Sequence, residues 1–377
     1  MLRILHAADL HLDSPFSDSL KKGSARRARL RSGFSSLTLL AAERGVDLVL
    51  LCGDLFDSEA VSEQTVALLV REMAARPHIT FVITPGNHDP YTPRSVWART
   101  PFPENVVIFD SPVPRRHPLP HLGVDLYGYA FPAPTLDAAP IADLRPEDPS
   151  RINLLCGHAD LTSPLSPYAP TTPAALAATG MDYIALGHVH RGGEPVRCGE
   201  GYYAYPGCME GRGFDEVGYK GVLYLEIEKK EGVLSLTSHP LRLSDRRYEV
   251  AEVELSGSLT AVEAVASAKK QLSEGRLLGG ETTLRVILRG TVSPSIVRLS
   301  EAVSEVLSPL VYGLEVVDRT LPLLDGALLE KDGTLRGALY RRLLPQLTSE
   351  DEQLRITASR ALVLGLDALA EQSGRGV

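Results

Sequence analysis

The sequence predicts an α/β protein built on buried strands, followed by a compact α+β region and C-terminal helices. Three observations carry that expectation. Five short apolar runs, rich in Val, Ile and Leu and flanked by turn residues, read as strands buried on both faces. Helical patterns and Gly/Pro-rich loops alternate with them up to about residue 245. With 377 residues the chain exceeds one ordinary domain and suggests two or three.

Each of the five runs ends at a metal-capable side chain. Leu2 to Ala8 leads to Asp9-Leu10-His11, and Val46 to Cys52 leads to Gly53-Asp54-Leu55-Phe56-Asp57. Ile79 to Ile83 leads to Gly86-Asn87-His88-Asp89, Ile152 to Cys156 to Gly157-His158, and Tyr183 to Leu186 to Gly187-His188-Val189-His190. The C-terminal ends of strands are where open α/β sheets place ligands. A glycine before the ligand allows a sharp turn and a close approach. Asp9/His11 and His188/His190 are two apart, so on extended backbone each pair faces one side.

Asp9, His11, Asp54, Asn87, His158, His188 and His190 make seven ligand side chains, a number suited to two divalent ions. Asp54 can bridge through its two oxygens. Such a pair of ions activates a water and clamps a phosphoryl oxygen. Imidazole, carboxylate and amide together suit manganese or iron, and manganese is the expectation. A lone Asp-x-His or Gly-Asp occurs by chance, but six of the ten histidines fall in these runs and the turns that end them.

Beyond residue 245 the pattern changes. Residues 246–322 read as strands at 249–255, 282–289 and 311–318 with helices at 259–275 and 295–308. Residues 323–377 hold two helical patterns. The first runs from Gly326 to about Leu344, where Pro345 should end it. The second opens at the Thr348-Ser349-Glu350-Asp351-Glu352 cap, and Gln372 to Val377 read as a frayed end. Stretches 160–180 and 132–140 read as surface loops. No apolar run is long enough to span a bilayer, and the N-terminus lacks signal-peptide features, so the expected location is the cytoplasm. Cys52 and Cys156 close apolar runs as small hydrophobes. Cys198 and Cys208 can meet across a hairpin, though a disulfide is not expected in a reducing compartment.

In this order the five blocks resemble the calcineurin-like metallophosphoesterase superfamily, over about the first 245 residues. The wording His6-Ala7-Ala8-Asp9-Leu10-His11-Leu12-Asp13-Ser14-Pro15-Phe16 resembles the SbcD-type DNA repair nucleases, YhaO branch. So does Tyr205-Pro206-Gly207, followed by Gly211-Arg212-Gly213-Phe214 and Lys220-Gly221-Val222-Leu223. The resemblance implies a four-layer sandwich, two sheets face to face with helices outside. It implies one ion on Asp9, His11, Asp54 and His190, and another on Asp54, Asn87, His158 and His188. It implies that His88 acts on the phosphodiester rather than on a metal, and that Asp57 stands where a polar residue orients that histidine. Capping of a helix near Ser58 to Arg76 is the competing account of Asp57. Asp89 orients His88 or binds the backbone of its turn, with the structural role favoured. His6 reads as a core histidine; His78, His117, His121 and His239 read as surface or loop residues.

The activity implied is metal-dependent hydrolysis of DNA. A phosphatase or cyclic-nucleotide phosphodiesterase of the superfamily, or a non-catalytic scaffold, are the competing readings. No ligand is missing, which speaks against the scaffold. The net charge of −8 opposes DNA binding by the chain alone, so a partner is expected. The resemblance names it: an SMC-like coiled-coil ATPase docking on the C-terminal helices, with residues 246–322 as a cap domain shaping the DNA path. No phosphate loop is present, so the ATPase is a separate protein. A homodimer stays open, and no membrane partner is expected. Leu335, Leu339, Tyr340, Leu343 and Leu344 make one apolar helical face; Ile356, Ala361, Leu362, Leu364, Leu366 and Leu369 make another. Lys21, Lys22, Arg26, Arg27, Arg29 and Arg31 form a basic run that reads equally as a solvated helical face or a phosphate-contacting edge. Tyr91, Arg94 and Trp97 either hold a nucleotide or pack locally.

Overall fold

The computed structural model describes residues 1–16, 23–293, 295–323 and 325–373. The chain divides into two compact units, Met1–Arg247 and Tyr248–Val377.

In the first unit the strands are β1 (Leu2–Ala7), β2 (Leu48–Cys52), β3 (Thr80–Thr84), β4 (Val106–Ile108), β5 (Arg115–Leu119), β6 (Val124–Gly128), β7 (Ile152–His158), β8 (Tyr183–Gly187), β9 (Val196–Cys198), β10 (Gly201–Ala204), β11 (Gly221–Lys230) and β12 (Val233–Arg242). They form two six-stranded sheets, ordered β12-β11-β1-β2-β3-β4 and β5-β6-β7-β8-β10-β9. β1 to β4 run parallel, as do β6, β7, β8 and β10. The motif strands therefore deliver their C-terminal ends to one edge of each sheet.

Alternation along each strand fills both faces. Ile4, Leu48, Leu50, Cys52 and Val82 meet Leu126, Leu154, Cys156, Tyr183 and Ala185 between the sheets. On the outer face of the first sheet, Leu5, Val49, Leu51, Phe81 and Ile83 pack against helices α1 (Gly23–Glu43) and α2 (Glu63–Ala74). A short helix α3 (Val96–Arg99) adds Trp97 to that layer. The outer face of the second sheet packs Tyr127, Leu155, Ile184 and Leu186 against Leu176 of α4 (Pro173–Ala178) and loop residues Phe131 and Ile141. The four-layer sandwich is therefore realised, with a fourth layer that is mostly loop.

The second unit holds β13 (Arg247–Glu254), β14 (Gly279–Arg289) and β16 (Val311–Asp318) in one sheet, and β15 (Thr291–Val292) with β17 (Leu321–Pro322) in another. Helices α5 (Ala261–Glu274) and α6 (Leu299–Leu307) cover the larger sheet through Ala264, Ala268, Leu272, Val303 and Leu307. The helical end differs from the expectation in two ways. A single helix from Gly326 was expected, but α7 (Gly326–Lys331) and α8 (Leu335–Leu347) are separate. Asp332 Oδ1 accepts the Thr334 N–H at 2.7 Å, and Thr334 then caps α8. Pro345 does not end α8 but lies in its last turn, where its missing N–H removes one bond and the helix stops two residues later. The predicted second cap stands: Asp351 Oδ1 accepts from the N–H groups of Gln353 and Leu354 at the start of α9 (Glu352–Ser373). The two apolar faces pack on each other, with Leu339, Tyr340 and Leu343 against Leu362 and Leu366.

Among the described residues no helix is long and apolar enough to cross a membrane. All four cysteines are buried and unpaired. Lys21, Lys22 and residues 374–377 lie outside the described residues.

Candidate metal centre

The turns that follow β1, β2 and β8 leave ordinary backbone space. Asp9, His11, Asp54 and His188 have φ of 52°, 43°, 51° and 110°. Left-handed backbone in non-glycine residues is costly and gathers at functional sites. Gly187 shows how tight the junction is: a Cβ there would lie 1.7 Å from the Cys52 carbonyl oxygen and 2.8 Å from His158 Nδ1. Only glycine lets the two sheets close at this point.

All seven predicted ligand residues come together. His11 Nε2 lies 3.2 Å from His190 Nε2, and His190 Nε2 lies 3.8 Å from Asp9 Oδ1. His158 Nε2 is 3.0 Å from Asn87 Oδ1 and 3.3 Å from Asp54 Oδ2. Asp54 Oδ2 is also 3.9 Å from His11 Nε2. Its other oxygen, Oδ1, accepts the His88 N–H at 2.9 Å. Oδ2 thus faces both imidazoles, and Oδ1 takes a backbone N–H. Asp9 accepts the His188 N–H through both oxygens at 3.1 Å. The His188 ring stands 5.3 Å from that of His158, with its Nε2 3.4 Å from Asp160 Oδ2.

The residues fit a divalent cation. His190 Nδ1 donates to Glu216 Oε1 at 2.6 Å, His158 Nδ1 to the Cys52 carbonyl at 3.1 Å, and His11 Nδ1 lies 3.1 Å from Asp57 Oδ1. Anchoring Nδ1 on an oxygen turns the Nε2 lone pair toward the cluster, as metal-binding histidines require. Two such lone pairs, on His11 and His190, repel at this distance unless a cation lies between them. Electrostatics agree. Burial pushes the Asp9 carboxyl up to about 6, against the opposing pull of His158 and His190. Burial acts the same way on Asp54, but His158 and His11 beside it hold its carboxyl well below the ordinary range. His158 answers: burial lowers it, yet Asp54 raises it to about 9. The raised His158 shows that Asp54 and Asp9 favour positive charge at this ring, a charge that a divalent ion on Nε2 would supply in place of the proton.

Around the ligands, several expectations resolve. His88 is exposed, and its Nδ1 donates to the Asp57 carbonyl oxygen at 2.9 Å. The Asp57 backbone thus orients His88, while its carboxylate meets His11 and Arg212. Asp57 is not a helix cap, because α2 opens at Ser62, whose hydroxyl accepts the Thr65 N–H. Asp89 is structural: it accepts from the N–H groups of Gly86, Leu55 and Phe56. His6 is buried with Nδ1 2.9 Å from the Tyr183 hydroxyl, as a core histidine. Trp97 packs locally, its Nε1 donating to the Asp89 carbonyl and its ring against Phe56 and Phe102. The phosphate-edge reading of the basic run gives way to a structural one. Arg26 donates to the Arg212 carbonyl, Arg27 to that of Pro15, Arg29 to Glu210 and Asp245, and Arg31 to Asp13.

Sequence reasoning missed Glu216, Arg212 and Asp160. Arg212 donates to Asp57 Oδ1 at 2.8 Å and to Glu216 Oε1 at 3.2 Å, joining the carboxylates beside His11 and His190. Burial works to raise Glu216, but the His190 hydrogen bond and Arg212 hold it down to about 2. No motif spacing links Glu216 to His190; the signal lay unread in the Gly211-Arg212-Gly213-Phe214 wording.

The profile of the calcineurin-like phosphoesterase family matches residues 2–192. The chain belongs to that family. It is 31% identical over 302 residues to the uncharacterized metallophosphoesterase YhaO of Bacillus subtilis, covering 77% of this chain and 72% of that one. It is 23% identical over 310 residues to the DNA double-strand break repair protein Mre11 of Methanopyrus kandleri, covering 77% of this chain and 65% of that one. A shorter match, 34% over 93 residues, joins it to one of the subunits of the nuclease SbcCD of Rhodobacter capsulatus, covering 24% of this chain and 22% of that one. As a calcineurin-like phosphoesterase the protein is a metal-dependent hydrolase, and the donor cluster at the strand ends suits divalent ions.

Proposed function

We propose that this protein is a manganese-dependent phosphodiesterase that cleaves DNA. The carrying observation is the pairing of a seven-residue donor cluster, buried at Asp9, His11, Asp54 and His158 and half-buried at the rest, with an exposed imidazole, His88, fixed beside it. In this reading Asp9, His11, Asp54 and His190 hold one ion, and Asp54, Asn87, His158 and His188 the other. Bound there, two ions supply an activated water and neutralise charge on the phosphate. The rest falls to the chain. Asp54 Oδ2 faces both positions. The Asp57 carbonyl holds His88 by Nδ1, which leaves Nε2 to donate to the phosphate or to protonate the leaving oxygen. Asp57, Glu216 and Arg212 keep His11 and His190 turned inward.

DNA as substrate rests on the Mre11 and SbcCD relatives, whose names carry repair and nuclease activity. A partner rests on the name of the second, which is one component of a larger nuclease. An SMC-like ATPase would dock on the helical end. Five residues of the two predicted faces, Leu339, Tyr340, Leu343, Leu362 and Leu366, are spent on internal packing, so contact would fall to exposed leucines such as Leu328, Leu335 and Leu364. The deciding experiment compares cleavage of linear duplex DNA with hydrolysis of a small aryl phosphodiester, with and without Mn²⁺. Manganese-dependent cleavage of both is expected. Hydrolysis of the small ester with DNA left intact, even with an ATPase partner present, would move the protein among the small-substrate enzymes of the family.

A further inference from the structure

A cavity of about 760 Å³ opens beside the metal centre and shares one wall with it. His190 lines its inner end, and the β11–β12 hairpin lines its far side with Lys220 and Arg242. Arg191 joins them from the turn after His190. Three cations on one groove are unexpected in a chain of net charge −8. Their surroundings are more telling than their number. Among the described residues no carboxylate lies within salt-bridge reach of Arg191 or Lys220, whereas the arginines of α1 are taken up by protein groups. Arg242 is held by the Ser244 carbonyl at 2.8 Å and stacks on the Tyr219 ring, 3.3 Å from its centroid. Tyr219 therefore fixes this guanidinium rather than offering that face to a base. Glu194 and Asp215 line the same groove, so the cationic excess is small.

We infer that this groove carries the phosphodiester backbone of a single nucleic-acid strand to or from the metal centre, with Arg191, Lys220 and Arg242 contacting its phosphates. The inference rests on the nuclease reading above and adds to it a path and a strandedness. Because His190 lines the inner end of this groove, a strand with a phosphate at His190 can continue into it. Cavities of about 300–1,000 Å³ enclose ligands of a few hundred daltons, which matches a short stretch of one strand. The two carboxylates keep affinity modest, in line with the charge of the whole chain.

The test is the salt dependence of binding to a short, fluorescein-labelled, phosphorothioate single-stranded oligonucleotide, read by anisotropy on the full chain. Each phosphate contact on a single strand contributes about 0.7 to the slope of log K against log salt. The double variant Arg191→Gln/Lys220→Gln should bind more weakly and lose about 1.4 from that slope. Arg99→Gln/Lys230→Gln removes the same charge elsewhere on the first unit and should leave the slope in place. Calorimetric Mn²⁺ binding checks that both variants keep a formed site. If the groove variant keeps the wild-type slope, or loses no more than the control pair, the path is wrong while the nuclease reading stands. If the unmodified protein binds no single strand even at low salt, this inference fails; the nuclease reading fails only if duplex DNA also stays intact with Mn²⁺ and an ATPase partner present.

Discussion

The two sides of the donor cluster are held by different parts of the molecule. His158 sits on β7, and its Nδ1 is anchored to the main-chain carbonyl of Cys52 on β2, so the sandwich itself positions it. His11 and His190 are anchored by side chains instead. Asp57 stands at one and Glu216 at the other, with Arg212 tying the two carboxylates together. A backbone anchor moves only if the strands move, whereas a carboxylate anchor is removed by one substitution. The His158 side should therefore tolerate outer substitutions, and the His11/His190 side should loosen readily.

Asp54 belongs to both sides, so its loss should erase the contrast. Asp54→Ala should abolish binding of both Mn²⁺ ions, because Oδ2 is the carboxylate oxygen that faces His11 and His158 together. Calorimetric titration reads this directly. Normal binding at either position would show that Asp54 serves one side only.

His88 lies outside the contrast and should separate binding from turnover. His88→Ala should keep both ions and lower turnover on the order of 10²–10⁴-fold, the usual contribution of a general acid or base. The kinetics would be measured on the aryl phosphodiester at saturating Mn²⁺. Loss of metal as the main defect would place His88 among the ligands.

The contrast itself is tested at Glu216. Glu216→Gln keeps the shape but removes the charge that His190 and Arg212 share. Losing such a partner costs about 10–100-fold in metal affinity or activity. The loss should fall on one of two resolved Mn²⁺ sites. Equal weakening of both would mean that the two sides are mechanically one.

How much of this was legible follows the same division. The five motif strands and the meeting of the seven proposed donors were readable because each strand ends by local rules: an apolar run, then a polar residue at the strand end, with a glycine before it in four of the five. The anchors were not readable. Glu216 reaches His190 through a loop that returns from elsewhere in the chain, and Arg212 gains meaning only when Asp57 and Glu216 flank it. The hydrogen bond on Asp54 Oδ1 was also hidden, because the His88 N–H that donates it comes from a different strand end. In the second unit the break before α8 depended on a capping bond at Thr334 rather than on the apolar period. The basic run shows the converse limit. Its charges were plain, but its partners at Asp13, Glu210 and Asp245 come from distant segments.

The smallest expected effect tests whether the metal cluster can be separated from its scaffold. Asp13 follows His11 closely and also has left-handed backbone, with φ 63°. Its carboxylate is engaged by α1 and α2 rather than by the donor cluster. Oδ2 accepts the Ser62 N–H at 2.8 Å at the start of α2, and Oδ1 accepts from Thr65 Oγ1 at 2.8 Å and from Arg31 at 3.2 Å. Burial works to raise the Asp13 carboxyl, but these donors and the Arg31 charge hold it below the ordinary value. A carboxylate depressed in the folded state contributes stability that is present above its unfolded pKa and is lost as pH falls through the folded one. Asp13→Asn is the suitable change, since asparagine tolerates left-handed backbone and keeps an acceptor oxygen while losing the charge. The cost at neutral pH should be about 1 kcal/mol, read by urea unfolding of the metal-free protein. The gap between variant and wild type should hold down to about pH 4 and shrink below it. Mn²⁺ affinity should be unchanged at both sites, because no Asp13 oxygen takes part in the cluster. A gap that stayed constant at low pH would show that the charge is irrelevant. A fall in Mn²⁺ affinity would show that the turn after β1 holds His11 as firmly as Asp57 does.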